Sequence, residues 1–61
     1  MNEKPKVGDK IVCVVDHLSF FTKGKIYTVI EPNEESGYHF WVIDDEGDPM
    51  YGWLHEFKFA H

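Results

Sequence analysis

The sequence predicts an all-β fold, a single five-stranded barrel with one short helical turn before the last strand. Short β-branched and aromatic runs alternate with turn clusters rich in Gly, Pro and Asp. No amphipathic run reaches the roughly ten residues that would indicate a helix. The chain has 61 residues, of which 16% are aromatic. Large rings are therefore expected to supply most of the core of so small a domain.

Strand-like segments recur along the whole chain. We place them at residues 10–16, 25–31, 38–44, 50–53 and 58–60. The first is a nearly continuous apolar run, so its periodicity does not show which face points inward. Short strands of this kind, separated by turns, are typical of a barrel or a small sandwich.

Turn signals separate the strands. Residues 32–37 and 45–48 combine acidic residues, Pro, Asn, Ser and Gly, a composition typical of turns. Residues 17–23 are predicted to form a connecting loop. Pro49 lacks a backbone donor and suits only a strand entrance or edge, so the fourth strand is expected to begin after it. Residues 54–57 are expected to close one helical turn.

The chain is expected to hold a single domain. Residues 1–6 are predicted to be a flexible N-terminal segment and residues 7–61 the barrel domain. The first residues contain no apolar stretch of signal-peptide length, and no segment approaches the roughly 20 apolar residues that cross a bilayer. Cys13 is the single cysteine, which fits a reducing compartment. We expect a cytoplasmic protein without a membrane interaction.

Charge is distributed unevenly along the chain. The formal net charge is −5. Residues 1–30 hold five lysines and three acids, whereas residues 31–61 hold eight acids and one lysine, Lys58. Arginine, the preferred residue for bidentate contacts to phosphates and guanine edges, is absent. This composition argues against nucleic acid as the main ligand.

Several short motifs resemble the Src-homology-3 (SH3) pattern. They are LSF at residues 18–20, KG at 23–24, YTVI at 27–30, FWV at 40–42 and GWLHEF at 52–57. Their order is similar to the LSF and KG motifs, the aromatic third strand and the closing segment of SH3 domains. The chain also resembles small SH3-like proteins of bacteria and their phages. The resemblance covers roughly residues 10–60 and implies a small binding barrel.

The departures from that pattern concern the proline-peptide groove of SH3 domains. The loop between the first two strands is short, so one wall of such a groove is largely missing. His55 stands where the family has a groove proline, and Phe57 where it has a tyrosine. Phenylalanine cannot donate the tyrosine hydroxyl's hydrogen bond. We therefore do not expect recognition of proline-rich peptides.

Aromatic residues are the first candidates for a binding surface. Strand alternation places Phe40 on one face of the third strand and Trp41 on the other, and both faces are apolar. Either rings on both faces are covered, or one set forms an exposed patch of the kind that marks interaction sites. The predicted surface consists of Trp41, Tyr51 and Trp53, with Phe21 from the loop and His55 at its rim.

The acidic turn is the second candidate. Asp44, Asp45, Glu46 and Asp48 could orient a basic partner, or they could simply keep the domain soluble. Their spacing does not fit an EF-hand, and the histidines show no zinc-site spacing. We expect no metal and no cofactor. A domain of this size has little volume for a catalytic pocket, so we do not expect an enzyme.

The sequence thus predicts a small non-catalytic protein-binding module, a phage or mobile-element accessory protein that modulates a host protein through an aromatic and acidic surface. It is expected to be a monomer or a weak homo-oligomer, in which the extra aromatics bury one another. The alternative is a nucleic-acid-associated barrel with a basic edge. That edge is predicted to consist of Lys4, Lys6, Lys10, Lys23 and Lys25.

Overall fold

The structure is a computed structural model that describes residues 3–32 and 39–60. It has five strands and one 3₁₀ helix in the described residues. They are β1 (Lys10–Cys13), β2 (Ile26–Ile30), β3 (His39–Ile43), β4 (Pro49–Trp53), the 3₁₀ helix (Leu54–Glu56) and β5 (Phe57–Phe59). The all-β prediction, with one helical turn before the last strand, is confirmed.

The strands form one antiparallel sheet in the order β4-β3-β2-β1-β5. The first residues of β2 pair with β1, whereas its last two residues, Val29 and Ile30, pair with β3. The sheet folds over on itself, because the rings of Phe40 in β3 and Phe57 in β5 lie only 5.3 Å apart. In the described residues β4 and β5 do not pair, so the sheet is not closed. This arrangement is compatible with a small SH3-like barrel.

The core lies between the two halves of the folded sheet. Phe57 is its centre, since its ring meets the rings of Phe21, Tyr27 and Phe40 edge to face at centroid distances of 5.1, 6.0 and 5.3 Å. The other buried members of the core cluster are Ile11, Cys13, Val29 and Val42. Edge-to-face pairs add stabilisation beyond that of the buried ring area. Aromatic rings therefore supply most of this core, as the composition predicts.

Strand boundaries differ from the sequence prediction mainly in the first strand. It was predicted to reach residue 16, but β1 ends at Cys13. Beyond Cys13 the backbone hydrogen bonds lead out of the strands, because the Val14 N–H donates to the carbonyl of Glu56 in the 3₁₀ helix and the Cys13 carbonyl accepts the N–H of Gly24 in the loop before β2. The boundaries of β2, β4 and β5 and the end of β3 shift by about one residue, and β4 includes Pro49. Most of the predicted turn at residues 32–37 and the predicted start of the third strand at residue 38 lie outside the described residues. Pro49 stands at the start of an edge strand, where its missing N–H is tolerated.

The segment before β1 lies against the sheet. Pro5 is buried, and the Gly8 N–H donates to the Val29 carbonyl at 2.8 Å. Gly8 has a φ of 94°, a conformation that favours glycine. Asp9 closes the turn, because its carboxylate accepts the Lys6 N–H at 2.8 Å. The division into a segment 1–6 and a domain 7–61 stays a prediction, and residues 1 and 2 lie outside the described residues.

Gly52 leads to a prediction about packing between β4 and the core. A methyl group built on Gly52 would lie 2.8 Å from the Phe40 ring and 3.1 Å from the Phe57 ring. Gly52→Ala is therefore expected to lower the free energy of unfolding by about 1–3 kcal/mol through overpacking. Urea denaturation followed by tryptophan fluorescence measures this change.

Phe40→Leu provides the control for that prediction. It removes the ring that the new methyl group would meet, so the double variant is expected to lose less stability than the sum of the two single variants. Strict additivity would contradict a direct clash between residues 52 and 40.

Candidate functional site

Three aromatic side chains form a row on the outer face of β3 and β4. We call Trp41, Tyr51 and Trp53 the aromatic row. Because Phe40 points into the core, strand alternation turns Trp41 outward, and the β3–β4 register places Tyr51 directly opposite it. Ring centroids lie 5.9 Å apart for Trp41 and Tyr51 and 6.1 Å apart for Tyr51 and Trp53, both in edge-to-face geometry. The structure thus brings the three predicted aromatics together.

The two ends of the row differ in exposure. Tyr51 is 38% and Trp53 41% exposed, whereas Trp41 is half-buried. The indole Nε1 of Trp41 is buried and has no hydrogen-bond acceptor in the described part of the chain. Ile43, which is 42% exposed, extends the apolar face beyond Trp41. An exposed face with these large side chains is typical of an interaction surface.

Phe21 does not belong to this surface. It is 7% exposed and packs edge to face against Tyr27 and Phe57. The expectation that its ring is exposed is therefore wrong, although Phe21 is among the residues that line a neighbouring groove. Its neighbour Phe20 is 38% exposed instead. A loop lacks the alternation that distinguishes the two faces of a strand, so the sequence could not tell which of two adjacent phenylalanines points inward.

Asp44 shapes the β3–β4 turn rather than presenting a charge. It is 8% exposed. Its carboxylate accepts the backbone N–H groups of Glu46 and Asp48 at 2.9 and 3.0 Å. The turn also uses Gly47 at a φ of 85°. Such a side-chain-to-backbone arrangement is a common use of aspartate in turns.

Asp45 fastens the same turn to the loop before β2. Its carboxylate accepts hydrogen bonds from the Thr22 hydroxyl, the Lys25 ammonium and the Tyr27 hydroxyl at 2.7, 2.8 and 2.8 Å. The hydrogen bond from Lys25, followed by those from Thr22 and Tyr27, lowers the pKa of Asp45 from 3.8 to about 2. The Asp45 N–H also donates to the Phe20 carbonyl. Asp45 therefore holds the loop that carries Phe20.

Two of the four predicted acids remain available at the surface. Glu46 and Asp48 are both exposed and lie in the turn that follows Ile43. His55, whose side chain is 75% exposed, lies in the 3₁₀ helix, with its Nε2 atom 4.0 Å from a Glu56 carboxylate oxygen. The accessible acidic surface is consequently smaller than the sequence predicts.

A groove next to the row contains residues that the sequence analysis did not select. It has a volume of about 130 Å³ and lies between the loop after β1, β4 and the 3₁₀ helix. Phe20, Met50, Tyr51, Trp53 and Glu56 are among its walls. Glu56 is 6% exposed. Its burial had no sequence signal, because a glutamate beside an aromatic segment is usually solvated.

The lysines predicted to form a basic edge for nucleic acid lie in two separate places. Lys4, Lys6 and Lys10 line an open groove near the start of β1, together with Phe59, Glu3 and Asp9. Lys23 and Lys25 lie near the opposite end of β1, where the Gly24 N–H donates to the Cys13 carbonyl. Lys25 is paired with Asp45. The described lysines therefore do not form one continuous basic edge.

The comparisons with known proteins add no relative. No family model, no curated protein and no solved structure matches the chain. Across residues 3–32 and 39–60, no helix has the length and apolar composition that a membrane crossing requires. In that same part of the chain, His, Cys, Asp and Glu side chains form no group of three or more that could hold a metal ion.

The two adjacent phenylalanines give a matched pair of variants. Phe21→Ala is expected to lower the free energy of unfolding by about 3–5 kcal/mol, which is comparable to the whole stability of a domain this small. Phe20→Ala is expected to change it by less than about 0.5 kcal/mol, because its side chain is exposed. Circular dichroism with urea denaturation measures both, and equal losses would contradict the assignment of Phe21 to the core.

The low pKa of Asp45 predicts how its contribution to stability depends on pH. Because folding lowers this pKa from 3.8 to about 2, the ionised carboxylate stabilises the fold above about pH 3.8, and that stabilisation is lost as the pH falls through about 2. The difference in urea midpoint between the wild type and Asp45→Asn is expected to be largest at neutral pH and to shrink across this interval.

Glu46→Gln is the control for the Asp45 variant, because the Glu46 carboxylate accepts no hydrogen bond from a described residue. Its urea midpoint is expected to follow that of the wild type at every pH. A difference for Asp45→Asn that stays constant in acid would overturn the electrostatic explanation.

Proposed function

We propose that this chain is a small, non-catalytic protein-binding module whose contact surface is the aromatic row together with Ile43. The observation that carries the proposal is the position of Trp41, Tyr51 and Trp53 side by side on the face of the sheet opposite the core. Tryptophan and tyrosine are enriched among the residues that dominate binding energy. Their rigid rings also lose little conformational entropy on binding.

The core does not require these rings. Phe40 and Val42 cover the inner face of β3, and both are almost fully buried. Tyr51 and Trp53 leave more than a third of their surface in water, and burial of aromatic area against a partner would be favourable by roughly 25 cal/mol per Å². A face that is apolar without a role in the core is the expected property of a docking surface.

A basic partner fits the charge of the chain. The net charge is −5, and the exposed acids Glu46 and Asp48 lie at the Ile43 end of the face. Charges around an interface mainly raise the association rate and select the partner. In this proposal Glu46 and Asp48 raise the association rate and select the partner, while Asp44 and Asp45 stabilise the turn that carries them.

The proposal also covers the type of barrel and the setting in which it acts. We infer that it is an SH3-like barrel similar to small proteins of bacteria and phages, and that it acts in the bacterial cytoplasm by binding a host protein. The support is the motif order at residues 18–57 and a strand order compatible with such a barrel. The short loop after β1 and the replacement of the groove proline by His55 favour a ligand other than a proline-rich peptide.

Nucleic-acid binding is the second candidate function. Lys4, Lys6 and Lys10 surround the groove that contains Phe59, and a basic groove with an aromatic ring is suited to stacked bases. Glu3 and Asp9 lie in the same groove and reduce its positive potential. If this function holds, affinity for a single-stranded oligonucleotide should fall steeply with salt.

The test of the proposed function is capture of a partner from bacterial lysate by the tagged protein, with nuclease present throughout. We expect Ile43→Ser and Tyr51→Ala to weaken binding of the identified partner roughly tenfold, as substitutions in the centre of an interface do. Isothermal titration with the purified partner measures the change.

Ile26→Ser is the matched control, because Ile26 is also exposed, at 58%, but lies on β2 outside the row. Its affinity for the partner should stay within about twofold of the wild type. Equal losses at residues 26 and 43 would contradict the proposed surface. A monomer–dimer equilibrium sensitive to Ile43→Ser, measured by light scattering, would instead assign the face to self-association.

A further inference from the structure

Glu56 is a buried carboxylate whose charge is poorly compensated. Its side chain is 8% exposed, yet it accepts no hydrogen bond from a described residue. The nearest cationic candidates are His17 and His55, whose Nε2 atoms each lie 4.0 Å from the same carboxylate oxygen. That distance is too long for a hydrogen bond. Both imidazoles are mostly in solvent, with 66% and 75% of their side chains exposed.

Such a carboxylate can accept hydrogen bonds from a further donor group. Removing an ionised carboxylate from water is unfavourable unless donors replace the lost hydration, so buried charges in proteins are normally paired. The backbone explains why Glu56 is here, because the 3₁₀ helix must deliver Phe57 to the core and the Glu56 carbonyl accepts the Val14 N–H. Neither contact uses the carboxylate.

Glu56 forms part of the wall of the groove beside the aromatic row. Phe20, Tyr51 and Trp53 supply aromatic walls, and Leu18 and Met50 supply apolar ones. The groove has a volume of about 130 Å³, which suits one side chain rather than a folded element. It therefore combines a single negative group with several ring surfaces.

This combination fits a guanidinium group. Arginine is planar and weakly hydrated, stacks on aromatic rings, and donates two parallel hydrogen bonds to a carboxylate. The lysine ammonium is a compact and strongly hydrated charge, which an apolar groove would desolvate at greater cost. The 61 residues contain no arginine, so neither they nor a second copy of them can supply the group.

We propose that the groove is the binding site for an arginine side chain of the partner protein, with the Glu56 carboxylate accepting its hydrogen bonds and Phe20, Tyr51 and Trp53 packing against its plane. This inference rests on the proposed function and adds the chemistry of the partner. It also gives the net charge of −5 a specific counterpart, because a basic partner would carry such a residue.

The first experiment is a titration of the protein with capped tripeptides that have arginine, lysine or citrulline at the centre, followed by amide chemical shifts. Citrulline has the shape of arginine without its charge. We expect saturable binding of the arginine peptide in the millimolar range, with shifts concentrated at residues 18–21 and 50–56. The lysine peptide should bind more weakly, and the citrulline peptide about tenfold more weakly. Equal affinities for arginine and citrulline would overturn the proposal.

Variants then test the named groups. Glu56→Gln keeps the size of the side chain, and we expect it to weaken arginine-peptide binding about tenfold or more. Phe20→Ala removes an exposed ring and should weaken binding roughly three- to fivefold. Because Phe20→Ala is expected to change stability by less than about 0.5 kcal/mol, this variant keeps the test valid if Glu56→Gln does not fold. Unchanged affinity in Phe20→Ala would count against the aromatic wall.

Ile43→Ser separates this inference from the proposed function, because Ile43 lies on the apolar face but not in the groove. It should leave arginine-peptide affinity unchanged while it weakens binding of the whole partner. A partner that depends on Ile43 together with no arginine-peptide binding would overturn the groove assignment alone. Arginine-peptide binding without any partner that depends on Ile43 would overturn the proposed function and leave the groove as an arginine site.

Discussion

The fold depends on the position of one ring, that of Phe57. It lies in β5, a strand of only three residues, yet it meets rings from the loop after β1, from β2 and from β3. A domain of 61 residues buries a smaller share of its surface than a larger domain does, so each large core ring carries a larger part of the hydrophobic stabilisation. Pairing of Cys13 with Phe57 holds β5 in register, and Gly52 leaves the space that the rings of Phe40 and Phe57 occupy.

The candidate binding surface is a geometric consequence of that core. Because Phe40 must point toward Phe57, its neighbour Trp41 must point away, and antiparallel pairing then places Tyr51 beside it. The same constraint explains the buried carboxylate. The 3₁₀ helix that returns the chain toward β1 and delivers Phe57 to the core also carries Glu56 inward, next to the aromatic row. The position of each core ring therefore fixes the position of its sequence neighbour, Trp41 beside Phe40 and Glu56 beside Phe57.

The role of each charged residue in this molecule depends on its local contacts rather than on the overall composition of the chain. Of the acids in the β3–β4 turn, Asp44 satisfies backbone donors, and Asp45 holds the loop before β2 through Thr22, Lys25 and Tyr27. The ion pair of Lys25 with Asp45 thus helps to hold the loop that carries Phe20, which forms a wall of the groove. A chain with a net charge of −5 consequently leaves only some of its acids at the surface, among them Glu46 and Asp48, while Glu56 is buried beside the groove.

The sequence by itself determined the all-β class, the succession of five short strands along the chain and the turn at residues 45–48, because alternation and turn chemistry are local properties. Only the tertiary structure decided which of Phe20 and Phe21 enters the core, that Asp44 and Asp45 serve the turn, and that Glu56 is buried beside Tyr51 and Trp53. These outcomes depend on contacts between residues distant in sequence, and on where the sheet folds. No local pattern specifies such contacts, since the same residue types in a loop or turn are compatible with either environment.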